Sequence, residues 1–106
     1  MRVLLDQGTP APLRRYLLNH DVSTALQLRW STLTNGELLE QAEAAGFDVL
    51  ITTDQNLRYQ QNLSKRRISI LVICTTSWLR IEKQVRAVTE ALERVSPGGY
   101  TEIQVP

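Results

Sequence analysis

Acidic side chains stand where two predicted strands of this chain end. Asp6 follows the apolar run Val3-Leu4-Leu5, and Asp54 closes the run that starts at Phe47. Because the carboxyl ends of parallel strands meet at one edge of a sheet, we expect both carboxylates at that edge. Glu37 lies in the first turn of a predicted helix that follows the second predicted strand, so it is expected near the same edge.

Asp6, Glu37 and Asp54 would repel one another unless a cation neutralised them. Oxygen ligands favour hard cations, of which Mg²⁺ and Mn²⁺ are the candidates here. A hard divalent ion held by carboxylates activates a water molecule and stabilises charge on phosphate oxygens. The chemistry that these residues favour is therefore hydrolysis of a phosphodiester.

Each of these carboxylates also has a purely structural interpretation. Asp54 could cap a helix that begins at Gln55, and Asp6 could bind backbone N–H groups of the turn that follows it. Glu37 is the fourth residue of Thr34-Asn35-Gly36-Glu37, which has the form of a capping box. The sequence leaves both interpretations open for all three residues.

Composition limits the kind of protein that this chain can be. Its 106 residues, 42% of them hydrophobic, predict a single domain over residues 1–106 with a real core. One cysteine and one histidine exclude an internal disulfide and disfavour a Cys- or His-based metal site. Apolar runs are too short to span a membrane and a charge arrives too early for a secretory signal, so we expect a cytoplasmic protein without a membrane partner.

The formal net charge of +1 conceals two blocks of opposite sign. The acidic block contains no basic residue between Arg29 and Arg58, and the basic block contains no acid between Asp54 and Glu82. This pattern is either incidental or the mark of a cation site beside an anion-binding surface. The acids are Glu37, Glu40, Glu43, Asp48 and Asp54, and the bases are Arg58, Lys65, Arg66, Arg67 and Arg80.

The elements that must position these residues alternate between strand and helix. The third and fourth predicted strands are continuous apolar runs, which are typical of buried parallel strands. A capped helix is predicted from Asn35 to Ala45. This order predicts an α/β fold, a three-layer α/β/α sandwich with a mainly parallel central sheet. The predicted strands are 2–6, 21–26, 47–54, 68–74 and 100–105, and the predicted helices are 10–19, 35–45, 55–63 and 78–95.

Four motifs in this order resemble the small PIN-like toxin family, the presumed ribonuclease half of prokaryotic toxin–antitoxin pairs. The opening strand with Asp6 and the proline-led helix after it resemble the start of that family. The other motifs that carry the resemblance are Asn19-His20-Asp21-Val22, Thr34-Asn35-Gly36-Glu37-Leu38-Leu39 and Leu50-Ile51-Thr52-Thr53-Asp54-Gln55-Asn56-Leu57. The resemblance covers most of the chain.

The resemblance implies a PIN-like fold and an Mg²⁺- or Mn²⁺-dependent endoribonuclease. Asp6, Glu37 and Asp54 would be its catalytic and metal-binding residues, with Asn56 as a further ligand. Its partners would be an RNA substrate and an antitoxin protein, with a homodimer as another possibility. The residues expected to bind RNA phosphates are Arg58, Lys65, Arg66 and Arg67.

Three positions depart from the family pattern, and each replaces a carboxylate with an amide. They are Gln7 after the first strand, Asn35 in the helix-start motif and Asn56 after the third strand. An amide still offers its carbonyl oxygen to a cation, but it brings no charge. Because affinity at such sites follows the number of charged ligands, the predicted metal site should be weakened.

Two other functions remain compatible with the sequence. The first is a binding module of the same fold with a degenerate metal site, acting through a protein partner. The second is a receiver-like signalling domain with Asp54 as its phosphoacceptor and Thr75 or Thr76 as the hydroxyl partner. Against the receiver, Asp6 is followed by Gln7 and not by a second acid, and no lysine follows Lys83.

Overall fold

A parallel sheet of five strands forms the centre of the computed structural model, which describes residues 1–57 and 63–106. The strand order is β2-β1-β3-β4-β5, and every neighbouring pair is parallel. The prediction of an α/β fold with a parallel sheet is confirmed. The strands are β1 (Arg2–Leu5), β2 (Asp21–Thr24), β3 (Val49–Thr52), β4 (Ser69–Ile73) and β5 (Tyr100–Ile103).

Alternation of side chains along the strands divides the core into two clusters. Leu5 and Ile51 pack with the 3₁₀ helix Ala11–Tyr16 and with helices α2 (Trp78–Glu82) and α3 (Val85–Glu93). Leu4 and Leu50 pack with helix α1 (Asn35–Ala44). Because successive strand residues point to opposite faces, helices cover both faces of the sheet. None of the helices in the described part of the chain is long and apolar enough to cross a membrane.

Both ends of α1 form as the sequence predicts. The Thr34 hydroxyl accepts a hydrogen bond from the Glu37 backbone N–H at 3.3 Å, and the Thr34 N–H donates to the Glu37 carboxylate at 3.0 Å. This is the predicted capping box. Gly46 has a φ of 83°, the left-handed conformation that ends a helix and favours glycine.

The helix predicted from Pro10 to Asn19 is wrong in type and length. It is a 3₁₀ helix, closed by bonds from Leu13 N–H to the Pro10 carbonyl at 3.1 Å and from Leu17 N–H to the Arg14 carbonyl at 3.2 Å. The segment is only six residues long and connects β1 to β2, and short helical connections of this kind commonly take the 3₁₀ form. Leu13 and Leu17 are nevertheless buried, as an apolar face requires.

The single helix predicted from Trp78 to Val95 is also wrong, because the chain breaks at Lys83 and Gln84 into α2 and α3. The two parts share the 3₁₀ helix Ala11–Tyr16 as a neighbour, and α3 also packs on β4 and β5. Trp78 in α2 lies against Tyr16, with ring centroids 5.9 Å apart. The buried stripe of Ile81, Val88 and Leu92 continues across the break.

The remaining predicted elements are present with trimmed ends. The structural strands lie inside the predicted ranges, and the Thr75 to Ser77 stretch connects β4 to α2, with Ser77 as the helix cap. Most of the helix predicted from Gln55 to Leu63 lies outside the described residues. Arg58, a predicted RNA-binding residue, lies there too.

Candidate functional site

The carboxyl ends of β1 and β3 form a topological switch point. From β1 the chain proceeds to β2 on one side of the sheet, whereas from β3 it proceeds to β4 on the other side. In open parallel sheets, ligands bind in the crevice outside the carboxyl ends of such strands. Asp6 follows β1 directly and Asp54 follows β3 by two residues. The structure thus brings these two predicted residues to the same edge.

Asp6 is held by two threonine hydroxyls. Leu5 is in register with Ile51, so Asp6 lies level with Thr52 on the neighbouring strand. The Thr52 hydroxyl donates to Oδ2 of Asp6, and the Thr9 hydroxyl donates to Oδ1 at 2.7 Å. Thr52 and Thr9 are only 1% and 6% exposed, whereas Asp6 is half-buried. The carboxylate therefore has a fixed orientation and an open side.

Asp54 is connected to Asp6 through the same threonine. The Asp54 backbone N–H donates to the Thr52 hydroxyl at 3.1 Å. One carboxylate oxygen of Asp54 accepts from the Asn56 backbone N–H at 2.9 Å, and the other accepts from the Asn35 side-chain amide at 3.1 Å. Asp54 thus caps the turn that follows β3, and it also contacts the first residue of α1. The helix that Asp54 was expected to cap lies mostly outside the described residues.

The turn after β1 passes close to the end of β3. The Thr53 hydroxyl donates to the Gly8 carbonyl at 3.3 Å. A Cβ atom at position 8 would lie 3.1 Å from the Thr53 hydroxyl and 3.9 Å from a carboxylate oxygen of Asp6. Glycine at this position therefore allows the loop to lie close to Thr53 at the end of β3.

Glu37 serves the start of α1 through the capping box. Its Oε1 accepts from the Thr34 N–H, and its side chain is exposed. These hydrogen bonds hold the pKa of the Glu37 carboxyl below its usual value. The box fixes the first turn of α1, and that turn carries the Asn35 amide that contacts Asp54. The role of Glu37 as a metal ligand stays a prediction.

The predicted RNA-binding residues that the structure describes lie at the other edge of the sheet. Arg67 stands just before β4 and is therefore near the amino ends of the strands. Arg66 forms an ion pair with Glu43 at 3.2 Å, and the Arg67 N–H donates to the same carboxylate at 3.1 Å. Lys65 is exposed. The structure does not bring these residues together with Asp6 and Asp54. Instead, Arg66 of the basic block neutralises Glu43 of the acidic block.

Asp6 and Asp54 supply the ligand type of a divalent cation that keeps much of its water. None of the ion pairs among residues 1–57 and 63–106 uses either aspartate. Within those ranges each carboxylate oxygen of the pair accepts one hydrogen bond, and such an oxygen has a second acceptor position. Mg²⁺ is commonly held by one or two carboxylates plus waters. No group of three or more His, Cys, Asp or Glu residues in the described ranges is arranged to hold a metal ion.

Sequence reasoning missed Thr9 as a partner of Asp6. The signal was its position three residues after the aspartate, a spacing at which a hydroxyl reaches back across a turn, and the Thr9 N–H indeed donates to the Asp6 carbonyl at 3.2 Å. Burial, together with the nearby charge of Glu102, raises the pKa of the Cys74 thiol and so lowers its share of the nucleophilic thiolate.

Comparison with protein-family models, with curated proteins and with solved structures finds no match to this chain.

Proposed function

We propose that this protein is a metal-dependent endoribonuclease that uses Mg²⁺ or Mn²⁺ to hydrolyse RNA phosphodiester bonds. The observation that carries the proposal is the pair Asp6 and Asp54, which emerges at the switch point of the sheet and is joined through Thr52. Two fixed carboxylates without a positive partner among the described residues create a local negative field that attracts a cation. The four sequence motifs support the same function.

In this mechanism Asp6 and Asp54 hold the cation, which when bound activates a water and stabilises charge on the phosphate. Thr9 and Thr52 keep the Asp6 carboxylate in one orientation, and the Asn35 amide does the same for Asp54. Such hydrogen bonds to ligating carboxylates typically change metal affinity about 10- to 100-fold when they are removed. Glu37 either ligates the ion or orients water, in addition to capping α1.

The biological setting follows from the resemblance to the PIN-like toxins. The enzyme would be a cytoplasmic toxin of a prokaryotic toxin–antitoxin pair, with RNA as substrate and an antitoxin protein as partner. Asn56 and the arginines and lysine at 58 and 65–67 would then contribute to metal and RNA binding. Exposed apolar side chains at Leu18, Leu26 and Leu79, between 71% and 85% exposed, are surfaces that an antitoxin or a second copy would cover.

Metal binding tests the proposal directly. Mn²⁺ binding is measured by calorimetry on wild type, Asp6→Asn and Asp54→Asn, and cleavage of a labelled RNA is followed in parallel. Asp21→Asn is the matched control, because Asp21 is an exposed carboxylate at the start of β2, away from the switch point. We expect the first two variants to lose binding and cleavage and the control to keep both. Undiminished cleavage by the Asp6→Asn, Asp54→Asn double variant would refute the proposal.

A second candidate is a binding module whose metal site is degenerate. It is favoured by the absence, within the described ranges, of a third acidic, His or Cys ligand beside the two aspartates. A ligand that binds only the folded state must raise its stability, by about 2.7 kcal/mol at a concentration of 100 times Kd. A melting temperature that does not respond to millimolar Mg²⁺, together with a stable complex with an antitoxin, would favour the module over the enzyme.

The receiver-like alternative gains one observation and loses another. The strand order β2-β1-β3-β4-β5 is that of the flavodoxin-like class, which includes receivers. However, Gln104 stands directly after β5, where a receiver carries its lysine. Labelling with acetyl phosphate at Asp54 would be required for this function, and we expect none.

A further inference from the structure

A small cavity of about 120 Å³ lies directly beside Asp6. Its wall includes one carboxylate of the candidate site and also Asn35, whose amide contacts the other carboxylate, Asp54. The cavity is therefore continuous with the site and is not a separate pocket elsewhere on the surface. The other side chains that matter in its wall are Gln7, Trp30 and Ser31.

Trp30 is placed in this wall by a strained turn. The Trp30 N–H donates to the Ala25 carbonyl at 2.8 Å, and the Arg29 N–H donates to the Leu26 carbonyl at 3.1 Å. These two bonds are those of a Schellman turn, which needs a left-handed residue at the position of Arg29. Arg29 has a φ of 62°, and among the described residues no other non-glycine residue has a positive φ. Backbone strain of this kind is often stored beside functional sites.

The indole is also fixed by packing. The rings of Trp30 and Phe47 meet edge to face, with centroids 6.1 Å apart and an interplanar angle of 77°. Trp30 is half-buried against the cluster that covers the α1 face of the sheet. An aromatic ring held in this way is a preorganised surface for a flat ligand, since little side-chain freedom remains to be lost on binding.

The size and polarity of the cavity define what it can hold. Sites that enclose a drug-sized ligand measure about 300–1,000 Å³, so a cavity of this volume accepts one ring system and not a whole nucleotide. The carboxamide of Gln7 and the hydroxyl of Ser31 offer both donors and acceptors. Such groups match the hydrogen-bonding edge of a nucleobase, and an indole matches its flat face.

We propose that this cavity binds one unpaired nucleobase of single-stranded RNA, adjacent to the phosphate that is cleaved. The proposal rests on the proposed function, because it takes RNA as the ligand of the neighbouring carboxylates. The base contacts Trp30 with its face and Gln7 with its edge. A base inside a duplex has no exposed face, so the cavity restricts the enzyme to single strands.

The two tryptophans make a direct test possible. Trp78→Phe leaves Trp30 as the fluorophore in the cavity wall, and Trp30→Phe leaves Trp78, which stacks on Tyr16 outside the cavity. Each variant is titrated with single-stranded RNA hexamers of one base, with an abasic ribose-phosphate hexamer and with duplex RNA. EDTA is present, so that metal-dependent cleavage cannot occur. Circular dichroism confirms that each variant is folded.

We expect base-bearing single strands to quench Trp30 and to bind about tenfold more tightly than the abasic strand or the duplex. Trp78 should not respond. Gln7→Ala, a change at an exposed side chain, should alter the relative affinities for the four bases. Equal affinity for base-bearing and abasic strands, no quenching of Trp30, or an equal response of Trp78 would each overturn the proposal.

The outcomes separate this proposal from the ribonuclease proposal. Quenching of Trp30 by base-bearing strands without any Mg²⁺-dependent cleavage would leave the base site standing and refute the enzyme. Cleavage that requires Asp6 but does not distinguish the base-bearing strand from the abasic one would support the enzyme and refute the base site.

Discussion

Replacing Thr52 with valine should loosen the candidate site and destabilise the fold. The two side chains have similar shape and both suit a strand, so the main change is the loss of one hydroxyl. That hydroxyl donates to the Asp6 carboxylate and accepts from the Asp54 N–H, and Thr52 is 1% exposed. The variant leaves both partners without this hydrogen bond, and because both residues are half-buried, water replaces it only in part.

The expected cost follows from these contacts. A typical hydrogen bond contributes about 0.5–1.5 kcal/mol, so the loss of the two made by the Thr52 hydroxyl should cost about 1–3 kcal/mol. In a domain of this size, each kcal/mol lowers Tm by about 4–8 °C, so the variant should melt about 5–20 °C below wild type. Urea unfolding at constant m-value measures the same loss. If a cation is bound, its affinity should fall by about 10- to 100-fold.

Thr53→Val is the matched control for this experiment. Within residues 1–57 and 63–106 the Thr53 hydroxyl bonds to the Gly8 carbonyl alone, at 3.3 Å, and its side chain is half-exposed. We expect its effect to stay within about 0.5 kcal/mol. The reasoning is refuted if Thr52→Val and Thr53→Val cost the same. A double-mutant cycle with Asp6→Asn should show a coupling of at least about 0.5 kcal/mol, since Thr52 acts on Asp6 directly.

Three further changes test other parts of the fold. Arg29→Gly should raise the urea midpoint of unfolding. Relief of the left-handed strain at Arg29 contributes about 1–2 kcal/mol, which exceeds the cost of the extra entropy that glycine gives the unfolded chain. A lower midpoint would contradict this. The fold lowers the pKa of the Glu37 carboxyl, so the ionised carboxylate stabilises the fold fully above a pH of about 4.3, and this stabilisation is lost as pH falls below that value. Tm measured from pH 3 to 6 should show this loss in wild type and not in Glu37→Gln. Leu39 is 0% exposed, so Leu39→Ala should lower the free energy of unfolding by about 2–5 kcal/mol. Leu79 is 72% exposed, so Leu79→Ala should change it little. Similar costs for the two variants would show that the packing of α1 does not stabilise the core.

The elements with strong local signals were predictable. The capping box at Thr34 and Glu37 and the stop at Gly46 depend on residues within one helix, so short-range chemistry defines α1. The continuous apolar runs of β3 and β4 likewise predicted buried parallel strands, and both are fully buried. Where several elements meet, prediction was less accurate, as at the break between α2 and α3, where both helices contact the 3₁₀ helix and α3 also packs on the sheet.

For the candidate site, sequence reasoning placed Asp6 and Asp54 at a common edge from strand polarity alone. It did not find the hydroxyl of Thr9 on Asp6, nor the amide of Asn35 on Asp54, because those contacts depend on how the loop after β1 and the start of α1 approach β3. It also grouped the basic residues at 65–67 with the acids by their order in the chain. In the structure Arg66 and Arg67 instead contact Glu43, near the amino edge.

Residue order and local chemistry therefore suffice for the class of fold, the ends of α1 and the identity of the two central carboxylates. Each of these depends on periodicity, capping or strand direction, which act over a few residues. The strand order, the shared Thr52 and the cavity beneath Trp30 depend on contacts between segments far apart in the chain. These contacts stabilise the fold only once the sheet has assembled, so no short segment of the chain carries a signal that predicts them.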